Sequence, residues 1–131
     1  MSTLFARIAA GEVPAYRVAE TAHYLAFLDI NPLTEGHTLC IPKLERDYLF
    51  DLETDDYVGL FIFAREVAKA IAKSVECRRV GLAVVGFEVA HAHIHLVPMN
   101  DTSDLDFNRQ RLALTEVQFE QLAAKIRSHI G

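Results

Sequence analysis

The chain has 131 residues, 51% hydrophobic and 24% charged, with a formal net charge of −5, so one globular domain over residues 1–131 with a sizeable core is expected and extensive disorder is not. The acidic balance argues against broad nucleic-acid binding, and no apolar run approaches the ~18 residues of a membrane span. Two distant cysteines, Cys40 and Cys77, argue against a disulfide framework or a cysteine-rich zinc site.

Arg7 and Glu12 interrupt MSTLFARIAAGEVP, which makes it a poor secretory signal, and the expected compartment is the cytoplasm. Thr3 is placed to cap a short helix over residues 4–10, with Phe5 and Ile8 on one face; Gly11 ends it and Pro14 follows. Residues 16–18 read as a weak strand. Residues 23–30 alternate Leu25, Phe27 and Asp29 against Tyr24, Ala26, Leu28 and Ile30, which is a strand pattern, and after the loop NPLTEG the stretch HTLCIP (37–42) is another. Thr54 opens a long helix on which Leu60, Ala64, Val67 and Ile71 recur at helical spacing. VGLAVVG (80–86) and VAHAHIHLVPM (89–99) read as strands joined by a bend near Gly86. NDTSDLDFNRQR (100–111) is polar and expected to be mobile. Thr115 and Gln118 form a capping box for a last helix whose face is Leu122, Ile126 and Ile130. Strands in blocks rather than in βαβ alternation predict an α+β fold with an antiparallel sheet of about five strands.

HAHIHLVP (91–98) puts His91, His93 and His95 at two-residue spacing. On a strand they share one face, about 6.6 Å apart, with Ala90, Ala92, Ile94 and Leu96 turned to the core. A solvated polar face does not explain three imidazoles with no Thr, Lys or Glu between them. Two chemical readings remain at this point. Histidines at i and i+2 can ligate one zinc, with the third histidine or Glu88 completing the site. Alternatively one imidazole is a nucleophile and its neighbours fix its tautomer and protonate a leaving group. His23, His129 and Lys43 read as surface residues.

His91-Ala92-His93-Ile94-His95-Leu96-Val97 resembles the signature of the histidine triad (HIT) family. LFARIAAGEVP, FLDINPLTEGHTLCIPK and GFEVAHAHIHLVP resemble the family's other segments, in the same order, over residues 4–99. The resemblance implies a nucleotide-binding homodimer acting as hydrolase or transferase at the α-phosphate of an AMP-type purine nucleotide, with no metal or other cofactor. It implies His93 as the nucleophile forming a nucleotidyl-histidine, flanked by His91 and His95 and oriented by His37. It implies Asp29 on the ribose, Phe5, Ile8, Phe27 and Ile30 around the base, and Gly86, Phe87 and Glu88 near the α-phosphate. Phe87 stands where the family often has Gln, RRVGLAVV lacks a frequent Asn, and the chain has no Trp, so the substrate branch is open. The competing functions are a nucleotide-binding regulator with little turnover and a metal-binding protein. The greasy LFIF (60–63) adds to the expectation of a partner surface on the long helix.

Overall fold

The computed structural model describes residues 2–131. Its elements are α1 (Leu4–Ala9), β1 (Arg17–Glu20), β2 (Tyr24–Leu28), β3 (Thr38–Pro42), α2 (Thr54–Ser74), β4 (Arg79–Ala83), β5 (Ile94–Met99) and α3 (Glu116–Arg127), with short 3-10 turns at Leu49–Asp51 and Thr102–Leu105. The strands form one sheet in the order β1-β2-β3-β5-β4, every pair antiparallel. The fold is therefore the expected α+β arrangement. No described helix is long and apolar enough to cross a membrane.

Strand alternation decides what lies where. Even-numbered Ala26, Leu28, Cys40, Ile94 and Leu96 enter the main core against α2 and α3. The inward face of α2 is the predicted one: Leu60, Ala64, Val67 and Ile71 are all buried. Odd-numbered Leu25, Phe27, Leu39 and Ile41 point to the opposite face, where Phe5 and Ile8 of α1 cover them in a second apolar cluster. The register carries that face onward: Phe27 pairs with Leu39, Leu39 with His95, and His95 with Ala83. A slot of apolar side chains thus ends on a histidine.

Four local expectations are corrected. The strand expected over 89–99 begins at Ile94. Cys40 pairs with Ile94, so Pro42 falls opposite Ala92, and proline has no N–H to continue the ladder. The Ala92 N–H bonds to the Arg46 carbonyl instead, and residues 84–93 form an irregular arm. Ala90, in that arm, is exposed rather than in the core. Ile130 lies beyond the end of α3 and is 38% exposed, while Phe119 joins Leu122 and Ile126 in the core. The segment 100–111 is folded: Asp101 and Asp104 form a capping box, Arg109 pairs with Asp104 at 2.7 Å, and the Leu112 N–H bonds to the Pro32 carbonyl.

Candidate active site

Between α1, β2, β3 and the arm lies a cavity of about 240 Å³. Phe5, Ile8, Phe27 and Leu39 give it apolar walls, and Asp29, His93 and His95 give it a polar end. The Phe5 ring meets the His93 ring edge-on at 5.0 Å and that of Phe27 at 5.5 Å. Ile30 stands at the rim, 64% exposed. Of the residues expected around a base, three are buried walls and one is a lip.

The histidines are not an even row of equivalent rings. His93 and His95 face each other with centroids 4.8 Å apart. His91, fully buried, holds structure together: Nε2 lies 2.8 Å from the Pro42 carbonyl and Nδ1 2.9 Å from the Thr3 hydroxyl. A carbonyl only accepts, so His91 carries its proton on Nε2, and the Thr3 hydroxyl donates to Nδ1. That hydroxyl also accepts from the Ala6 N–H at the start of α1. The same logic fixes His93. Its Nδ1 lies 2.7 Å from the His91 carbonyl, so the proton sits there and Nε2 keeps its lone pair.

His37 was expected to orient the triad, and it stands in direct contact with it. The Leu33 N–H donates to His37 Nδ1 at 3.0 Å, which puts the His37 proton on Nε2; Nε2 then donates to His95 Nδ1 at 2.9 Å. His95 is left with its proton on Nε2. A main-chain amide therefore sets two tautomers in series. Burial pushes both His37 and His95 down to about 3, with the neighbouring imidazoles and the Arg111 charge adding to it. Both rings are neutral at physiological pH. His91 is also lowered, chiefly by burial.

Asp29 follows β2. Its Oδ1 accepts from the Asn31 N–H at 2.8 Å, closing the turn into the loop, while Oδ2 lies 3.6 Å from His37 Nε2. Burial raises its carboxyl above the usual range. The donor atoms of Asp29, His37 and His95 lie within 4.8 Å of one another. Any metal held here would use that set, not the three signature histidines plus Glu88, because His91 already commits both ring nitrogens. It would also have to replace the proton shared by His37 and His95.

Gly86, Phe87 and Glu88 line a second compartment, with His93 and His95 at its inner end. Gly86 has φ +83, a conformation that favours glycine and turns the arm back toward β5. Phe87 is 93% exposed, so its ring makes no wall for the first cavity. Sequence reasoning missed Phe107 and Arg111. Phe107 packs edge-on against His95 at 4.7 Å, and the Arg111 guanidinium lies 5.8 Å over the Phe107 ring. No local motif marks them. It also gave Thr3 only a capping role and missed its bond to His91.

The α+β sheet presents a histidine cluster at the end of an apolar slot, and comparisons with known proteins show which family shares this arrangement. Residues 10–102 match the HIT domain family model. The chain is 30% identical to adenosine 5'-monophosphoramidase hnt1 of Schizosaccharomyces pombe, over 99% of both chains. It superposes on a HIT-like protein involved in cell-cycle regulation from Bartonella henselae with TM-score 0.84 at 27% identity, covering 98% of this chain and 96% of that one. A zinc-bound histidine triad family protein from Mycobacterium smegmatis gives TM-score 0.83 at 29% identity, covering 99% and 94%. The chain belongs to the HIT family.

Proposed function

We propose that the chain works as a single-domain nucleotide hydrolase or transferase, cleaving adenylyl-type substrates, nucleoside phosphoramidates or dinucleoside polyphosphates, at the α-phosphate through a nucleotidyl-His93 intermediate. The observation that carries this is the commitment of His93 Nδ1–H to the His91 carbonyl, which leaves Nε2 as the free nucleophile in the cavity. The base lies in the slot of Phe5, Ile8 and Phe27, and Asp29 Oδ2 accepts from ribose hydroxyls. His93 Nε2 forms the bond to phosphorus as the bond to the leaving group breaks; water then cleaves the N–P bond. His95, neutral and protonated on Nε2, donates a hydrogen bond to the phosphoryl oxygens, while a phosphate leaving group departs as its anion and an amine leaving group with a proton taken from water. This revises the expectation that a neighbour protonates the leaving group. The monophosphoramidase relative supports the reaction class.

The test is release of AMP from adenosine 5'-monophosphoramidate and diadenosine triphosphate. His93→Ala should lose several orders of magnitude in turnover yet still bind AMP, and the parent should yield an acid-labile adenylyl adduct. Near-normal turnover by folded His93→Ala would sink the proposal. Binding without turnover in the parent would favour the regulatory reading. The zinc-bound relative and the Asp29, His37 and His95 set support a metal reading as the alternative; activity abolished by EDTA and restored by zinc would favour it.

A homodimer belongs to the same proposal. Val58 and Ile62 on α2 remain 47% and 50% exposed, and Leu82 on the edge strand β4 45%; apolar surface of this kind suits a second copy. Light scattering at micromolar concentration should give twice the chain mass, and a monomer would count against it.

A further inference from the structure

The second compartment has a volume of about 200 Å³ and shares Asp29, Glu88, His93 and His95 with the first. The two meet at the histidine pair, so a substrate whose nucleoside fills the apolar slot must put the remainder into the second. Their chemistry differs. No Lys or Arg lines the first; Arg111 lines the second, beside Phe107 and Asn108.

Arg111 is held in place without a charge partner. Its Nη1 donates to the Asn31 carbonyl at 2.6 Å and its Nη2 to the Phe107 carbonyl at 3.4 Å. Among the described residues no carboxylate forms an ion pair with it. Its charge is nonetheless felt at the site, adding to the burial that lowers His37 and His95 and partly opposing the burial that raises Asp29. A guanidinium has five donors in a planar fork matched to phosphate oxygens; two of its nitrogens each spend one donor on main chain, at Asn31 in the loop after β2 and at Phe107 in the strap 100–111, and three donors remain.

We infer that the second compartment receives the leaving group and that Arg111 selects one bearing phosphate, so that the chain prefers a dinucleoside polyphosphate to a phosphoramidate of a neutral amine. This rests on the hydrolase reading above and specifies its substrate. In the first step His93 Nε2 bonds to the α-phosphorus and the bond from that phosphorus to the bridging oxygen breaks. The electron pair leaves on that oxygen as a phosphate anion, and Arg111 binds its charge. Such a group departs without needing a proton, which suits a site whose His37 and His95 are neutral. Water then attacks the nucleotidyl-histidine, giving AMP and a proton.

The rival account is that Arg111 only balances Asp29 and Glu88 or ties down the strap, which would affect all substrates alike. The experiment measures kcat/KM for diadenosine triphosphate and for adenosine 5'-monophosphoramidate in the parent, Arg111→Gln and Arg111→Lys. The expected result is a loss on the triphosphate at least tenfold greater than on the phosphoramidate in Arg111→Gln, as for a hydrogen-bonded charge pair, with Arg111→Lys between. Equal losses, no loss, or a parent that cleaves the phosphoramidate but not the triphosphate overturn the inference and leave the hydrolase reading standing. A parent that cleaves neither overturns both. If Arg111→Gln does not fold, the Arg111→Lys ratio decides alone, because lysine keeps the charge and loses the fork.

Discussion

Acid should unfold this protein in a pH range where its carboxylates are still ionised, because His37 and His95 are buried as neutral rings. Both sit at about 3 in the folded chain against 6.5 when free. The folded state stays unprotonated below pH 6.5 while the unfolded state takes up protons, so stability is fully present above 6.5 and falls as pH drops toward 3. Each pH unit in that window is worth about 1.4 kcal/mol per ring. Between pH 7 and pH 5 this amounts to about 2 kcal/mol for one ring and about 4 kcal/mol for the pair, with His91 adding in the same direction. Asp29 opposes it: burial raises its carboxyl, so it binds a proton in the folded state first and stabilises as pH falls. The carboxylates lowered in the folded state, Glu20, Asp101 and Asp104 among them, start from ordinary values of 4.5 or below and lose their contribution only lower down. Urea unfolding at pH 7.0 and 5.0, at one protein concentration, reads the difference. The parent should lose several kcal/mol, and His37→Gln should lose about 2 kcal/mol less over the same interval, whatever its absolute stability. An identical pH dependence in the two proteins would refute the neutral buried pair.

Thr3→Val removes both the acceptor for the Ala6 N–H and the donor to His91 Nδ1, and should cost about 2 kcal/mol in thermal unfolding; Thr3→Ser should restore most of it. Gly36→Ala puts a Cβ 3.0 Å from both Pro98 and Val75 at φ +99, and should destabilise by about 1–3 kcal/mol in urea unfolding. Phe87→Ala should change stability by less than about 0.5 kcal/mol, because the ring is 93% exposed. A larger loss would show that the arm 84–93 depends on that ring.

Alternation made much of the fold legible. Leu25 and Phe27 read from the sequence as one face of a strand; that face carries the second apolar cluster, and Phe27 with Leu39 of the next strand walls the cavity. The helical spacing of Leu60, Ala64, Val67 and Ile71 likewise named the buried stripe of α2. Alternation failed where tertiary pairing overrides local pattern. Residues 89–93 look like strand, yet Pro42 falls opposite Ala92, and a proline two positions past the last β3–β5 pair ends that ladder. The polar strap 100–111 failed for the complementary reason. Its composition is that of a loose loop, but carboxylates at 101 and 104 cap a turn, Arg109 binds the Asp104 carboxylate within the strap, and Arg111 binds the Asn31 carbonyl far away in sequence.

The histidine spacing marked the site but not the division of labour among the rings, and the reason lies in the backbone. Three imidazoles on one ideal strand face would be near equivalents. Because the chain leaves the sheet before Ile94, His91 turns to the Pro42 carbonyl, and its own carbonyl becomes free to accept from His93 Nδ1. Had the ladder run on past Ile94, main-chain pairing would have competed for these carbonyls, and the His93 tautomer would have lacked this anchor. The missing N–H of Pro42 thus reaches the free Nε2 of His93 through two hydrogen bonds. His95 is fixed by an independent route, from the Leu33 amide through His37. Two adjacent rings 4.8 Å apart are consequently held in opposite tautomers, one with a lone pair at Nε2 and the other with a proton there, which is the asymmetry that attack on a phosphoryl group beside a hydrogen-bond donor requires.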